Sequence, residues 1–339
     1  MAKSYDKVTL LTFLEISKRR LTFCSLCGIF YPNVRGEQVE AEDFKRIITA
    51  LETGECLAFL GAGACTPFKN NEGETIPGLP TGAQLAKTLA AKCQYSNGKG
   101  NHYDLLEVAE HFLYTFGGDR GPLERAVKEE IQKHCTPRPI HTVLAQLNQV
   151  KIVITTNYDD LLEQEFSKYN RKLTRHVYKL RKPDTGLFDY TTFLHKDDVV
   201  LHKMHGSIEE PGSMVISQSD FIYYLANLHD VERGMPEYFR KTMIPQCSLL
   251  FLGYGLEDWN FRVIWEGVLS NRARGGIKRT AYALVKEPTH RQIKYWITHN
   301  IDVFDQDLTD FAVQLAGHFN LEIPQMGISK SPQAKGGKK

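Results

Sequence analysis

Short apolar runs closed by polar or glycine positions recur along this chain, and they alternate with stretches whose apolar residues return every three or four positions. The runs are Leu57–Leu60, Lys151–Thr155, Val199–Met204, Cys247–Leu252, Thr280–Val285 and Ile301–Phe304. Each is too short for a core helix and too uniformly apolar for a half-exposed strand, so each predicts a strand buried on both faces. Helical spacing fills the intervals: Glu42–Thr53 with Phe44, Ile47, Ile48 and Leu51, then Asp160–Phe166, Asp220–Leu228, the stretch ending at Leu269, Thr289–His299 and Leu308–Phe319. Strands alternating with helices predict an α/β fold with a doubly wound parallel sheet. The ligand crevice of such a sheet lies at the carboxyl ends of its strands.

One interval departs from the alternation. Pro80–Lys92, Tyr103–Phe116 and Gly121–His134 carry helical pairs such as Leu85/Leu89, Leu105/Val108/Phe112 and Leu123/Val127/Ile131, with no strand among them. They predict an inserted helical module over about 79–148, ended by Pro137 and Pro139 and returned to the sheet by a helix over His141–Leu147. Lys69–Gly78 is polar and rich in glycine and proline, which predicts a mobile loop beside the first strand. Ser213–Ser217 reads as a short β-like stretch. The main domain then covers 41–320. Residues 1–40 form an extension, read as a docking helix, an oligomer or partner arm, or a partly disordered segment, and 321–339 form a flexible basic tail.

Charge and cysteine usage narrow the classes of function. The formal net charge is +2, and Lys330, Lys335, Lys338 and Lys339 of the tail account for it, so the body is about neutral and no direct nucleic-acid ligand is implied. The seven cysteines are scattered and odd in number, as expected of thiols in a reducing cytoplasm rather than a disulfide framework. Cys24-x-x-Cys27 has no second pair to complete a zinc site. No stretch reaches the ~20 apolar residues of a membrane span, and the first thirty residues lack the order of a secretory signal. Cytoplasmic placement is expected.

Candidate chemistry gathers at the polar ends of the strands. Gly61-Ala62-Gly63 and then Thr66 follow the first, Thr156-Asn157-Tyr158-Asp159 the second, His205-Gly206-Ser207 the third, and Gly253-Tyr254-Gly255 with Asp258 the fourth. Glycines at a strand-to-loop turn allow a polyphosphate to approach bare backbone N–H groups. Asparagine supplies a neutral amide, and histidine is the side chain suited to move a proton near neutral pH.

With these motifs, and with Lys203-Met-His-Gly-Ser207, Val215–Phe221 and Leu252-Gly-Tyr-Gly-Leu-Glu-Asp258, the sequence resembles the sirtuin superfamily over about residues 45–305, in particular its prokaryotic, defence-associated branch. The resemblance implies a Rossmann-like NAD site and chemistry at the bond joining nicotinamide to ribose. It implies Asn157 and His205 as the catalytic pair. Gly61, Ala62, Gly63, Thr66, Thr156, Asp159, Gly253, Tyr254, Gly255 and Asp258 are implied as the groups that hold NAD. Asp159 would meet the nicotinamide ribose or carboxamide, and Gly253 and Gly255 the adenosine side; a helix cap remains an alternative for Asn157 and for Asp258. The deacylase members carry a four-cysteine zinc ribbon after the histidine, whereas only Cys247 lies beyond Cys135 here, so no ribbon and no metal are expected and deacylation is demoted. The expected activity is NAD+ glycohydrolysis by an effector of antiviral defence through abortive infection. It would be gated by homo-oligomerisation or by a separate chain such as a ring-forming ATPase, an Argonaute or a signal sensor. A non-catalytic sensor of NAD or ADP-ribose, and an NAD-dependent deacylase or ADP-ribosyltransferase, are the competing readings.

Overall fold

The computed structural model describes residues 21–24, 29–32, 41–96, 103–133, 136–180, 199–228, 239–255, 259–269 and 280–328. Its centre is a seven-stranded sheet of β3 (Cys56–Leu60), β6 (Ile152–Thr155), β7 (Leu173–Val177), β8 (Val199–Lys203), β9 (Ser248–Leu252), β10 (Ala281–Val285) and β11 (Ile301–Asp305), in the order β11-β10-β9-β3-β6-β8-β7. Every pairing is parallel. The chain leaves β3 toward β6 on one side and later returns to place β9 on the other. That reversal makes the carboxyl end of β3 the switch point of the sheet, where open α/β folds form their crevice.

The apolar runs are buried because both faces of the sheet are covered. Along β3 the side chains alternate: Leu57 and Phe59 join a cluster with Phe251, Phe261, Trp265 and Trp296, whereas Cys56, Ala58 and Leu60 join a cluster on the opposite face. Helices Ala41–Glu52, Pro139–Gln146, Leu161–Lys168 and Leu308–Phe319 supply that second cluster through residues such as Ile47, Val143, Phe166 and Phe311. The inserted module consists of helices Gly82–Lys92, Leu105–Thr115 and Arg120–Gln132. It forms a third cluster from Leu85, Leu89, Val108, Phe112, Leu123 and Val127, joined by Ile208, Met214 and Ile216 from the segment after β8. The module is thus seated on the stretch that follows His205.

Two expectations are corrected, and two elements are added to them. Ser213–Ser217 is buried but is no strand: the Val215 N–H donates to the His205 carbonyl (2.9 Å), and the segment fills the base of the module. The expected loop over 69–78 contains a small antiparallel hairpin, β4 (Phe68–Lys69) with β5 (Thr75–Ile76). β7 gave no apolar run because it is an edge strand whose residues are mostly half-exposed. Within the N-terminal extension, β1 (Leu21–Cys24) and β2 (Ile29–Pro32) pair as an antiparallel hairpin. The tail from 329 onward lies outside the described residues.

Candidate active site

The two glycine turns are built against each other. The Gly61 N–H donates to the Leu252 carbonyl (2.9 Å) and the Gly63 N–H to the Gly253 carbonyl (2.8 Å), which ties the end of β3 to the end of β9. A Cβ on Gly61 or Gly63 would come within 2.6 or 2.7 Å of the Gly253 carbonyl oxygen. Gly253 has φ +75°, and a Cβ there would meet the Ala64 nitrogen at 2.2 Å. Glycine is therefore demanded at these positions by backbone meeting backbone. Gly255 is exposed and has nothing within 4 Å of such a Cβ, so it faces open space. Thr66 closes the turn by donating its hydroxyl to the Gly63 carbonyl (2.9 Å).

At the end of β6 the chain turns around Thr155. Its hydroxyl donates to the Leu60 carbonyl (2.9 Å) and accepts the Asn157 N–H (3.0 Å). Asn157 then spends its side-chain Nδ2 on the Gly61 carbonyl (3.1 Å) and on Cys65 Sγ (3.4 Å), which leaves Oδ1 as its remaining polar atom. It does not cap the next helix, because the Leu161 N–H is taken by Asp159 Oδ1 (3.1 Å). The other Asp159 oxygen, Oδ2, accepts the Cys65 thiol (3.4 Å), so both oxygens of this buried carboxylate are engaged within the protein. Thr156 Oγ1 lies 3.4 Å from the Tyr254 hydroxyl, across the gap between β6 and β9.

His205 sits one turn beyond β8, with only 6 % of its surface exposed and its ring edge-on to Tyr224 (5.1 Å between centroids). The Gly206 that follows has φ +86° and lies against the backbone of Ser213, so the turn accepts no side chain. Among the described residues, His205 Nε2 has no hydrogen-bond partner. Burial pushes its pKa down to about 4, so the imidazole is neutral at physiological pH.

One cavity of about 800 Å³ unites these groups. Gly61, Ala62, Gly63, Thr66, Thr156, Asn157, Asp159, His205, Gly253, Tyr254 and Gly255 all line it. Asp258 lies outside the described residues. The cavity also reaches Lys286, Gln306 and Asp307 beyond β10 and β11, which sequence reasoning missed. Their only signal was a position just after a strand; Asp307 is also the cap of the helix Leu308–Phe319, taking the Thr309 N–H at 2.8 Å. Burial opposes ionisation of Asp307, but that N–H and the Lys286 ammonium at 3.2 Å outweigh it and hold the carboxyl below its usual range. On the far wall the buried Arg138 guanidinium stacks on Phe68 (5.5 Å).

Cys65, His141 and Asp159 bring three potential metal-ligand atoms within 4.8 Å of one another. The histidine does not fit a ligand role as it stands. His141 Nδ1 accepts the Arg138 backbone N–H (3.1 Å), so the ring proton is on Nε2, the atom that faces the other two. A metal there would have to break that bond and displace the proton.

The chain is similar to one described family and to several named proteins. Residues 151–304 match the family described as "SIR2-like domain". The chain is 26% identical over 215 residues to the "NAD(+) hydrolase ThsA" of Bacillus cereus (strain MSX-D12), covering 63% of this chain and 41% of that protein. It is 26% identical over 220 residues to the "NAD(+) hydrolase ThsA" of Enterococcus faecium, covering 65% and 41%. Similarity to the "Defense-associated sirtuin 2" of Bacillus subtilis is 24% over 228 residues, covering 66% and 20%. The chain thus spans about two fifths of the length of the hydrolases it matches. No described helix is long and apolar enough to cross a membrane. The parallel sheet and these matches together make the chain similar to SIR2-like proteins, among them the named NAD(+) hydrolases and a defence-associated sirtuin.

Proposed function

We propose that this protein hydrolyses NAD+ to nicotinamide and ADP-ribose. The observation that carries the reading is the meeting of Asn157 and His205 in a single cavity with both glycine turns. That cavity falls inside the ~300–1,000 Å³ range of small-molecule sites. In the reaction the C1′–N bond of the nicotinamide riboside breaks with its electron pair going to nicotinamide. Water supplies the oxygen that bonds to C1′, and its proton is released. Asn157, with Nδ2 spent on Gly61 and Cys65, offers Oδ1 to hold the water or a ribose hydroxyl. His205 is neutral and its Nε2 is unpartnered among the described residues, so it has a position to offer the departing proton. The Gly61–Gly63 and Gly253–Gly255 turns wall the pyrophosphate and adenosine side by close backbone approach rather than by bare N–H donors, since the Gly61 and Gly63 N–H groups are spent on the Leu252 and Gly253 carbonyls, and Lys286, Gln306 and Asp307 complete that end.

The name of the Bacillus subtilis relative supports a place in defence, and we read that place as antiviral, with loss of NAD+ halting an infected cell. Uncontrolled cleavage would be toxic, so activity is gated by self-assembly or by a partner chain, with residues 1–40 and the helical module as the surfaces to test. The experiment follows NAD+ and nicotinamide by chromatography beside native mass over a range of protein concentrations. Nicotinamide release that tracks one assembly state supports the reading. NAD+ that binds and is recovered unchanged in every state would make the protein a sensor.

A further inference from the structure

We propose that His141, which the cavity does not touch, is a positioning residue for Asn157: its Nε2–H braces the Asp159 carboxylate and the Cys65 thiol, and these fix the Asn157 carboxamide. The inference rests on the reading of Asn157 as a catalytic group. His141 opens the helix Pro139–Gln146 and is 1 % exposed. The Arg138 N–H at its Nδ1 leaves a proton on Nε2, which lies 3.9 Å from Cys65 Sγ and within 4.8 Å of the Asp159 carboxylate. From there the donors run in one direction. Cys65 donates its S–H to Asp159 Oδ2, which leaves sulfur lone pairs for Asn157 Nδ2. The second Nδ2 hydrogen goes to the Gly61 carbonyl.

A flipped carboxamide would set Oδ1 against that carbonyl oxygen and against a sulfur whose hydrogen is already given away. The flip stays unfavourable only while Asp159 Oδ2 is in place to take the thiol hydrogen. The chain is nearly dry, with Cys65 2 % and Asp159 7 % exposed, so the interactions are weakly screened. Burial also pushes the His141 pKa down to about 4, against the opposing pull of Asp159, so the ring is a neutral donor at working pH.

The test compares His141→Asn with His141→Gln. Asparagine places an oxygen where Nδ1 sits and leaves nothing at Nε2, whereas the glutamine amide reaches the Nε2 position as a donor. H141N should lower kcat for NAD+ cleavage by about tenfold to a hundredfold, the scale of a small misplacement at a reacting centre. Its KM should move by less than about threefold, and H141Q should recover most of the rate. Equal losses of thermal stability in both variants with kcat unchanged would mean that His141 only fills the core, and would overturn the proposal.

A second readout does not need turnover. The Asn157 side-chain NH2 resonances in a ¹⁵N spectrum should be protected from solvent exchange in the parent and in H141Q, and lose that protection in H141N. Protection unchanged in H141N would overturn the proposal. If the amide behaves as expected but the parent protein leaves NAD+ intact, it is NAD+ hydrolysis that fails and the brace that stands.

Discussion

The two halves of the crevice are built differently. Around Asn157 and His205, most side chains are buried, and Thr155, Asn157, Asp159, Cys65 and His141 are linked to one another and to the neighbouring backbone by hydrogen bonds. Around Gly255, Lys286 and Asp307, the rim is open: Gly255 faces empty space and the Lys286 side chain is 69% exposed. A group that must meet a transition state gains from being held before substrate arrives. Groups that only hold the remote end of a dinucleotide contribute alike to ground and transition states, and they tolerate solvent. The crevice thus has a buried, hydrogen-bonded end and an open end, which under the proposed function would serve chemistry and binding respectively.

Substitutions can break that division, starting where it is strongest. Asn157→Ala and His205→Ala should each reduce kcat by about a hundredfold or more while the melting temperature changes little. Steady-state kinetics beside thermal unfolding checks this, and full activity in either variant would remove that residue from the site. Gly253→Ala acts on the joint between the halves. With φ +75° and a 2.2 Å approach to Ala64, it should cost on the order of 3 kcal/mol of stability and lower soluble yield.

Acid probes the buried end. His141 and His205 have pKa values near 4 in the fold against 6.5 in the open chain, so their neutral forms favour folding fully above pH 6.5 and that contribution is lost as pH falls toward 4. Linkage gives about 2 kcal/mol for each by pH 5. His202 is shifted the same way by burial and by its neighbour His176, and adds to the slope. Urea midpoints at pH 7.5 and 5.0 measure the effect, and a flat profile would contradict the burial of these rings. Smallest of all, Lys286→Ala at the open end should raise KM by less than about fivefold with kcat unchanged, as befits an exposed ion pair.

β3, β6, β8, β9 and β10 were legible because they are buried on both faces, which writes a mostly apolar run into each, ended in β8 by His202 and Lys203. The edge strand β7 escaped because Thr174, Arg175 and His176 hide it. Ser213–Ser217 misled for the opposite reason: it is apolar and buried, but beneath the helical module rather than within the sheet. The rim was partly legible. Asn157 and His205 stood out as polar residues at strand ends. The glycines stood out too, but Gly61, Gly63 and Gly253 are required by one another's backbones, and only the fold could reveal that. His141 gave no signal, since a single histidine in an apolar helix reads as core, and its importance lies in which nitrogen carries the proton.

The most direct measurement incubates the purified protein with NAD+ and quantifies nicotinamide and ADP-ribose, with Asn157→Ala in parallel at matched assembly state. The expected result is equimolar release of both products by the parent protein and release at least about a hundredfold slower by the variant. Intact NAD+ with the parent protein in every assembly state, or equal rates for the two proteins, would contradict a hydrolytic site built on Asn157 and His205.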